Sequence, residues 1–128
     1  MRILVDTHTL VWATISPKLL STEAAAIIED PATEVYVSAA SAWEIATKVR
    51  LGRFPEAANL ERQFLQTMEV AGYVMLSIDC ALALRAARMP GDHSDPFDRI
   101  IAAHAIAEDI PVISADRKLD VFKVRRIW

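Results

Sequence analysis

The sequence predicts an α/β fold, with helices covering both faces of a central parallel sheet of four to five strands. Three observations carry this. Strand-like and helix-like segments alternate along the whole chain. Three strand-like segments, "RILV" (2–5), "EVYV" (34–37) and "PVIS" (111–114), are short and largely apolar, the pattern of strands covered on both faces. The 128 residues suit one compact domain, 1–128, and 53% apolar with 24% charged residues is enough for a sizeable core.

Each element has a local reason. "RILV" is a buried strand, and "THTLVWAT" (7–14) is a short helix that Ser16-Pro17 breaks. "STEAAAIIED" (21–30) opens on a capping serine and ends before Pro31. "EVYV" is β-branched and aromatic, and "SAASAWEIATKVR" (38–50) is helical up to Gly52. "AANLERQFLQTMEVAG" (57–72) carries Leu60, Phe64, Leu65 and Met68 at helical spacing, which predicts one helix closed by Gly72. "YVMLSI" (73–78) is a strand, and "CALALRAARM" (80–89) is a helix ended by Pro90-Gly91. "DPFDRIIAAHAIAED" (95–109) places proline directly after an N-cap, the preferred entry to a helix. "PVIS" is a short buried strand and "VRRI" (124–127) an edge strand. No repeat, low-complexity segment or linker interrupts the series.

Composition narrows the setting. No signal peptide is expected before the first strand, and no apolar run approaches the roughly 18 residues of a membrane span. Cys80 stands alone, which excludes an intrachain disulfide and a thiolate metal cage. A soluble cytoplasmic protein is expected. The net charge of −3 does not announce a nucleic-acid binder.

Four acids share one predicted edge. In a parallel α/β sheet, strand C-termini and helix N-termini lie on the same side, where ligands bind. Asp6 ends the first strand. Glu44 lies within two turns of the helix after the second strand, Asp98 in the first turn of the helix before "PVIS", and Asp116 two residues past that strand. Taken singly, each has a local reading. Asp6, Asp95 and Asp116 can cap, Asp98 can face a helix dipole, and Glu44 can close a capping box with Ser41 or pair with Lys48. Taken together they conflict, because two carboxylates about 4 Å apart repel by roughly 4 kcal/mol at an effective dielectric of 20. A divalent cation resolves the conflict, and hard oxygen ligands suit Mg²⁺ or Mn²⁺.

"ILVDTHTLVW", "SAASAWEIATK", "HSDPFDRIIAAHA" and "VISADRKLD" resemble the four acidic motifs of PIN domains, and more closely those of VapC-type toxins of prokaryotic toxin–antitoxin pairs. The resemblance covers nearly the whole chain. It implies a PIN-like three-layer α/β/α fold and a metal-dependent endoribonuclease. It matches Asp6, Glu44, Asp98 and Asp116 to the catalytic acids, with Asp6, Asp98 and Asp116 toward the metal. Thr7, Ser114 and Asp95 would support them. A cognate VapB-type antitoxin and a homodimer are also implied, with no membrane. A carboxylate cluster holding one or two Mg²⁺ or Mn²⁺ ions can run an in-line phosphodiester displacement by water, leaving 5′-phosphate and 3′-hydroxyl ends.

An acidic protein that binds RNA needs local cations. Arg85, Arg88, Arg99, Arg117 and Lys118 come from segments around the acidic edge and would form a basic rim. Arg125 and Arg126 read as edge protection or an interface. The histidines show no zinc spacing: His8 would be structural at the pocket floor and His104 a packing or interface residue. Trp12 and Trp43 read as core or groove aromatics. The apolar residues from Val49 to Met68 either pack on the sheet or line a groove for an antitoxin helix. Four rivals remain distinct. Phosphoacceptor modules and haloacid-dehalogenase-type phosphatases lack their second early acid here. A non-catalytic PIN-like metal- or RNA-binding module and a DNA-directed PIN-like nuclease are separable by assay.

Overall fold

The computed structural model describes residues 1–128. Arg2–Val5 forms β1, Glu34–Ser38 β2, Val74–Leu76 β3, Val112–Ile113 β4 and Arg126–Ile127 β5. Every pairing is parallel, and the strand order is β3-β2-β1-β4-β5. The helices are α1 (Thr7–Ile15), α2 (Thr22–Glu29), α3 (Ala39–Arg50), α4 (Ala58–Arg62), α5 (Phe64–Ala71), α6 (Cys80–Arg88) and α7 (Pro96–Glu108). A short 3-10 helix, Arg117–Phe122, joins β4 to β5.

The strand sequence explains the two-sided core. Side chains alternate across a strand, so Ile3 and Val5 face one side of β1 and Leu4 the other. Ile3, Val5, Val35, Val37 and Ile113 pack with Leu10, Val11, Ile45, Leu60, Phe64 and Met68. Leu4 and Val112 pack on the opposite side with Ile101, Ala102, Ala105, Leu119 and Phe122. The fold is the α/β arrangement with a five-stranded parallel sheet that the alternation predicts.

Two expectations need correction. The segment 57–72 is not one helix. A 3-10 turn at Pro55–Ala57 leads into α4, and Gln63 (φ −112°, ψ 22°) separates α4 from α5. Leu60, Phe64 and Met68 are nevertheless all buried in one cluster. The apolar period continues across the break, so periodicity alone reads a single helix. These residues pack on the sheet with Val49 and Phe54 beside them, while Leu51 and Leu65 stay exposed.

The second correction concerns direction. The connection from β3 to β4 holds two helices, so they do not both run back along the sheet. The Arg99 side chain near the start of α7 bonds carbonyls at the end of α6, Ala86 O at 3.0 Å among them. His104, further along α7, reaches Ser77 just before α6. The two helices are therefore antiparallel to each other.

Candidate active site

Strand order reverses at β1: β2 and β3 lie to one side, β4 and β5 to the other. The crevice beyond the C-termini of β1 and β4 is thus the topological switch point, the usual ligand position in open α/β sheets. Asp6 and Ser114 are the residues that follow these two strands. Asp6 is buried, and its Oδ1 caps α1 by accepting the Thr9 N–H at 2.9 Å. Its Oδ2 accepts the Ser114 hydroxyl, and Ser114 Oγ in turn accepts the Asp116 N–H at 3.0 Å. Burial holds the Asp6 carboxyl above the ordinary range, against the downward pull of Ser114 and Thr9.

Glu44 arrives from α3. The N-cap of this helix is Ser38, which accepts the Ala40 N–H at 3.0 Å. Ser41 is therefore inside the helix, not at a capping box, and its hydroxyl meets Thr7 Oγ1 at 3.1 Å. This contact ties α3 to α1 beside Asp6. Glu44 is 4% exposed. Its Oε2 pairs with Lys48 Nζ at 2.5 Å, one turn on, while buried Oε1 has no hydrogen-bond partner.

Asp95 and Asp98 arrive at the start of α7. Asp95 is the N-cap and accepts the Phe97 N–H at 2.9 Å. Asp98, half-buried, has its Oδ2 2.7 Å from His93 Nε2. Its carboxyl is pushed up to about 6, first by burial and also by the charges of Asp95 and Glu44, against the pull of His93. Asp116 caps the Arg117–Phe122 turn through Oδ1, which accepts the Lys118 N–H at 2.9 Å. Capping therefore uses one oxygen each of Asp6, Asp95 and Asp116 and leaves further lone pairs free.

The structure brings Asp6, Glu44, Asp95, Asp98 and Asp116 around one cavity of roughly 120 Å³, lined also by Thr7, His8, Lys48, His93 and Lys118. No apolar side chain lines it. Five carboxylates face two lysines, and one lysine is already paired with Glu44. A divalent cation fits this donor set. The oxygens are hard ligands, the local charge is negative, and the orphaned Glu44 Oε1 is a buried acceptor that otherwise carries a desolvation cost.

His93 is the site residue that sequence reasoning missed. Its ring stacks on Phe122 with centroids 5.8 Å apart, and its carbonyl accepts Arg99 Nη1 at 2.8 Å. Arg99 also bonds the carbonyls of Ala86, Gly91 and Met89 and lies over the Phe122 ring. Gly91 sits at φ 131°, and a Cβ there would meet Val121 at 3.2 Å. Arg99 thus clamps the Met89–Asp95 loop against the Arg117–Phe122 turn. This corrects its place in the basic rim, because its guanidinium is committed to backbone carbonyls. The signal was present in the sequence: a cation in the first turns of a helix opposes the dipole, which asks for another partner.

The other cations divide. Arg117 and Lys118 are exposed beside Asp116, and Lys118 lines the cavity. Arg88 is exposed at the end of α6. Arg85 instead lines a different cavity with Asp79, His104 and Glu108, so it does not join the rim of the acidic one. Arg125 and Arg126 pair with Asp109 and Asp120. His8 is exposed at the cavity mouth beside Trp12 and Phe54, not at its floor. His104 is buried between Ser38 and Ser77. Trp12 packs at a tilt against Trp128, with centroids 5.7 Å apart, and exposed Trp43 meets Phe97 edge-on at 4.9 Å.

Against known proteins, the family model of the PIN domain matches residues 3–124. No curated protein sequence matches the chain. Among solved structures, one similar chain comes from VapBC2 of Rickettsia felis bound to a DNA fragment from its promoter. It has a TM-score of 0.64 and 13% identity, with 99% of this chain and 98% of that chain covered. Another comes from FitAcB of Neisseria gonorrhoeae, with a TM-score of 0.66 and 21% identity over 98% and 96% of the two chains. A third, from VapBC-1 of nontypeable Haemophilus influenzae, has a TM-score of 0.58 and 16% identity over 99% and 97%.

Proposed function

This chain belongs to the PIN-domain family, and from that premise we propose that it is a Mg²⁺- or Mn²⁺-dependent endoribonuclease, the toxin of a toxin–antitoxin pair. The observation that carries the reading is the convergence of Asp6, Glu44, Asp98 and Asp116 on one polar cavity at the switch point, with a buried Glu44 oxygen left unpaired.

Asp6, Asp98 and Asp116 would hold the cation. When bound, the ion supplies Lewis acidity toward phosphate oxygens and water. Glu44 offers Oε1 as an acceptor that orients a water for in-line attack, while Lys48 holds the other oxygen and fixes the side chain. Ser114 and Thr7 maintain the frame, the first by bonding Asp6 and Asp116, the second by bonding Ser41. Asp95 fixes the start of α7 and so the position of Asp98. Lys118, Arg117 and Arg88 are the cations available to the RNA backbone.

The partner reading rests on the likeness to chains from structures named VapBC and FitAcB. Exposed Trp43, Leu51 and Leu65 give an antitoxin segment or a second copy of the chain apolar surface to cover. No helix is long and apolar enough to cross a membrane, consistent with action in the cytoplasm.

Matched RNA and DNA oligonucleotides incubated with the purified chain and Mg²⁺ or Mn²⁺ test the reading. RNA cleavage with 5′-phosphate products, lost in Asp6→Asn and Asp98→Asn, is expected. Cleavage of DNA alone would transfer the activity to a DNA-directed nuclease. Absence of any cleavage with either ion would favour a binding module, and 2′,3′-cyclic phosphate ends would contradict attack by water.

A further inference from the structure

His93 Nε2, a carboxylate oxygen of Asp98 and one of Asp116 all lie within 4.8 Å of one another. An ion with ligand distances near 2.1 Å spans atoms up to about 4.2 Å apart, so small side-chain rotations bring this trio to one centre. Three features hold the imidazole there. Phe122 stacks on its ring, Arg99 holds its carbonyl, and Gly91 lets the loop approach Val121. Phe122 and Asp116 belong to the same turn and its cap, so the support of His93 is continuous with that of a carboxylate it would join. The cavity also holds the buried, unpartnered Glu44 oxygen, a second sign of a ligand at this place.

We propose that His93 is a direct ligand of the cation, so that the centre is a mixed nitrogen–oxygen site that favours Mn²⁺ over Mg²⁺. This rests on the cation-dependent reading above and refines it. Imidazole suits transition ions, while Mg²⁺ prefers oxygen alone. Coordination replaces the present contact between Nε2 and Asp98 Oδ2, and both atoms turn to the ion. His8 also lines the cavity, but it is exposed and no carboxylate contact holds its ring. His104 is bonded elsewhere.

Pulsed electron paramagnetic resonance of the Mn²⁺-loaded chain reads this directly, since a coordinated imidazole gives a ¹⁴N modulation on the metal signal. The modulation should be present in the wild type, lost in His93→Gln and retained in His8→Gln. Titration calorimetry should show Mn²⁺ affinity falling about tenfold or more in His93→Gln, with Mg²⁺ affinity reduced less. Tight Mn²⁺ binding with no nitrogen modulation would overturn the inference and leave the cation-dependent reading standing. A modulation that disappears in His8→Gln would also overturn it. Failure of the wild type to take up Mn²⁺ at all would bring down the cation-dependent reading and the inference with it. If His93→Gln does not fold, the His8→Gln protein decides: a retained modulation supports His93, and a lost one overturns it.

Discussion

Ser114 donates its hydroxyl hydrogen to Asp6 Oδ2 from 108 positions away in sequence, and Ser114 Oγ itself accepts the Asp116 N–H at 3.0 Å. One small side chain at the end of β4 therefore fixes two acids of the cavity. Ser114→Ala removes both bonds and leaves buried Asp6 with less compensation. A stability loss of about 1–3 kcal/mol is expected, measured by urea denaturation with the cation chelated. Cation affinity should fall in the same variant, because Asp6 and Asp116 lose their common anchor.

Asp98→Asn separates the cost of the acidic cluster from its use. Neutralising this side chain removes repulsion with Asp95 and Glu44, so the chelated protein should melt at the same temperature as wild type or higher. Added Mn²⁺ should stabilise wild type by about 2.7 kcal/mol at a hundred times the dissociation constant. That gain should vanish in Asp98→Asn, together with RNA cleavage. Thermal melts with and without Mn²⁺ check both halves.

Arg99 and Arg88 should behave differently although both were expected to face RNA. Arg99→Met frees the carbonyls of Ala86, Met89 and His93 and releases the loop that carries His93. A loss of about 2–4 kcal/mol is expected, since bonds to charged donors contribute roughly 1.5–3 each. Arg88→Ala, at an exposed helix end, should change stability by less than about 0.5 kcal/mol. Its effect should be a weaker, less salt-dependent affinity for RNA. Denaturation curves and binding isotherms at several salt concentrations distinguish the two.

His104 gives the fold an acid-sensitive point away from the cavity. The Ser77 carbonyl can only accept, so His104 Nε2 carries the hydrogen and Nδ1 accepts from Ser38, whose oxygen already takes the Ala40 N–H. Burial lowers the pKa of the ring below its ordinary 6.5, against the upward influence of the Ser77 bond and of Glu108 and Asp79. Unfolding thus adds a proton below that value. The stabilising contribution is complete above pH 6.5 and is lost as pH falls below it. Asp6 and Asp98, held above the usual carboxylate range, act with the opposite sign. The check is therefore the difference between wild type and His104→Gln, measured by denaturation at several pH values, which should shrink on acidification.

The sheet and its acidic edge were legible because few rules govern them. Short apolar runs such as Ile3 to Val5 fit a doubly covered strand, and parallel connections bring Asp6, Asp98 and Asp116 to one rim. The position of Glu44 followed from helical rise alone. What escaped depends on contacts without a period. His93 lies on a loop whose path is set by Arg99, Phe122 and Gly91, three residues that no spacing rule connects. Arg85 misses the acidic cavity because it lies on the face of α6 that lines a separate cavity with Asp79, His104 and Glu108, a matter of helix face that strand order does not fix. The break at Gln63 was hidden because Leu60, Phe64 and Met68 keep their phase across it.

Anomalous X-ray scattering from crystals grown with Mn²⁺ tests the central claim most directly. A manganese peak within coordination distance of Asp6, Asp98 or Asp116 oxygens, and absent from Asp98→Asn crystals, is the predicted result. Fully formed crystals with manganese bound only at outer surface carboxylates, and those three side chains turned away from one another, would contradict it.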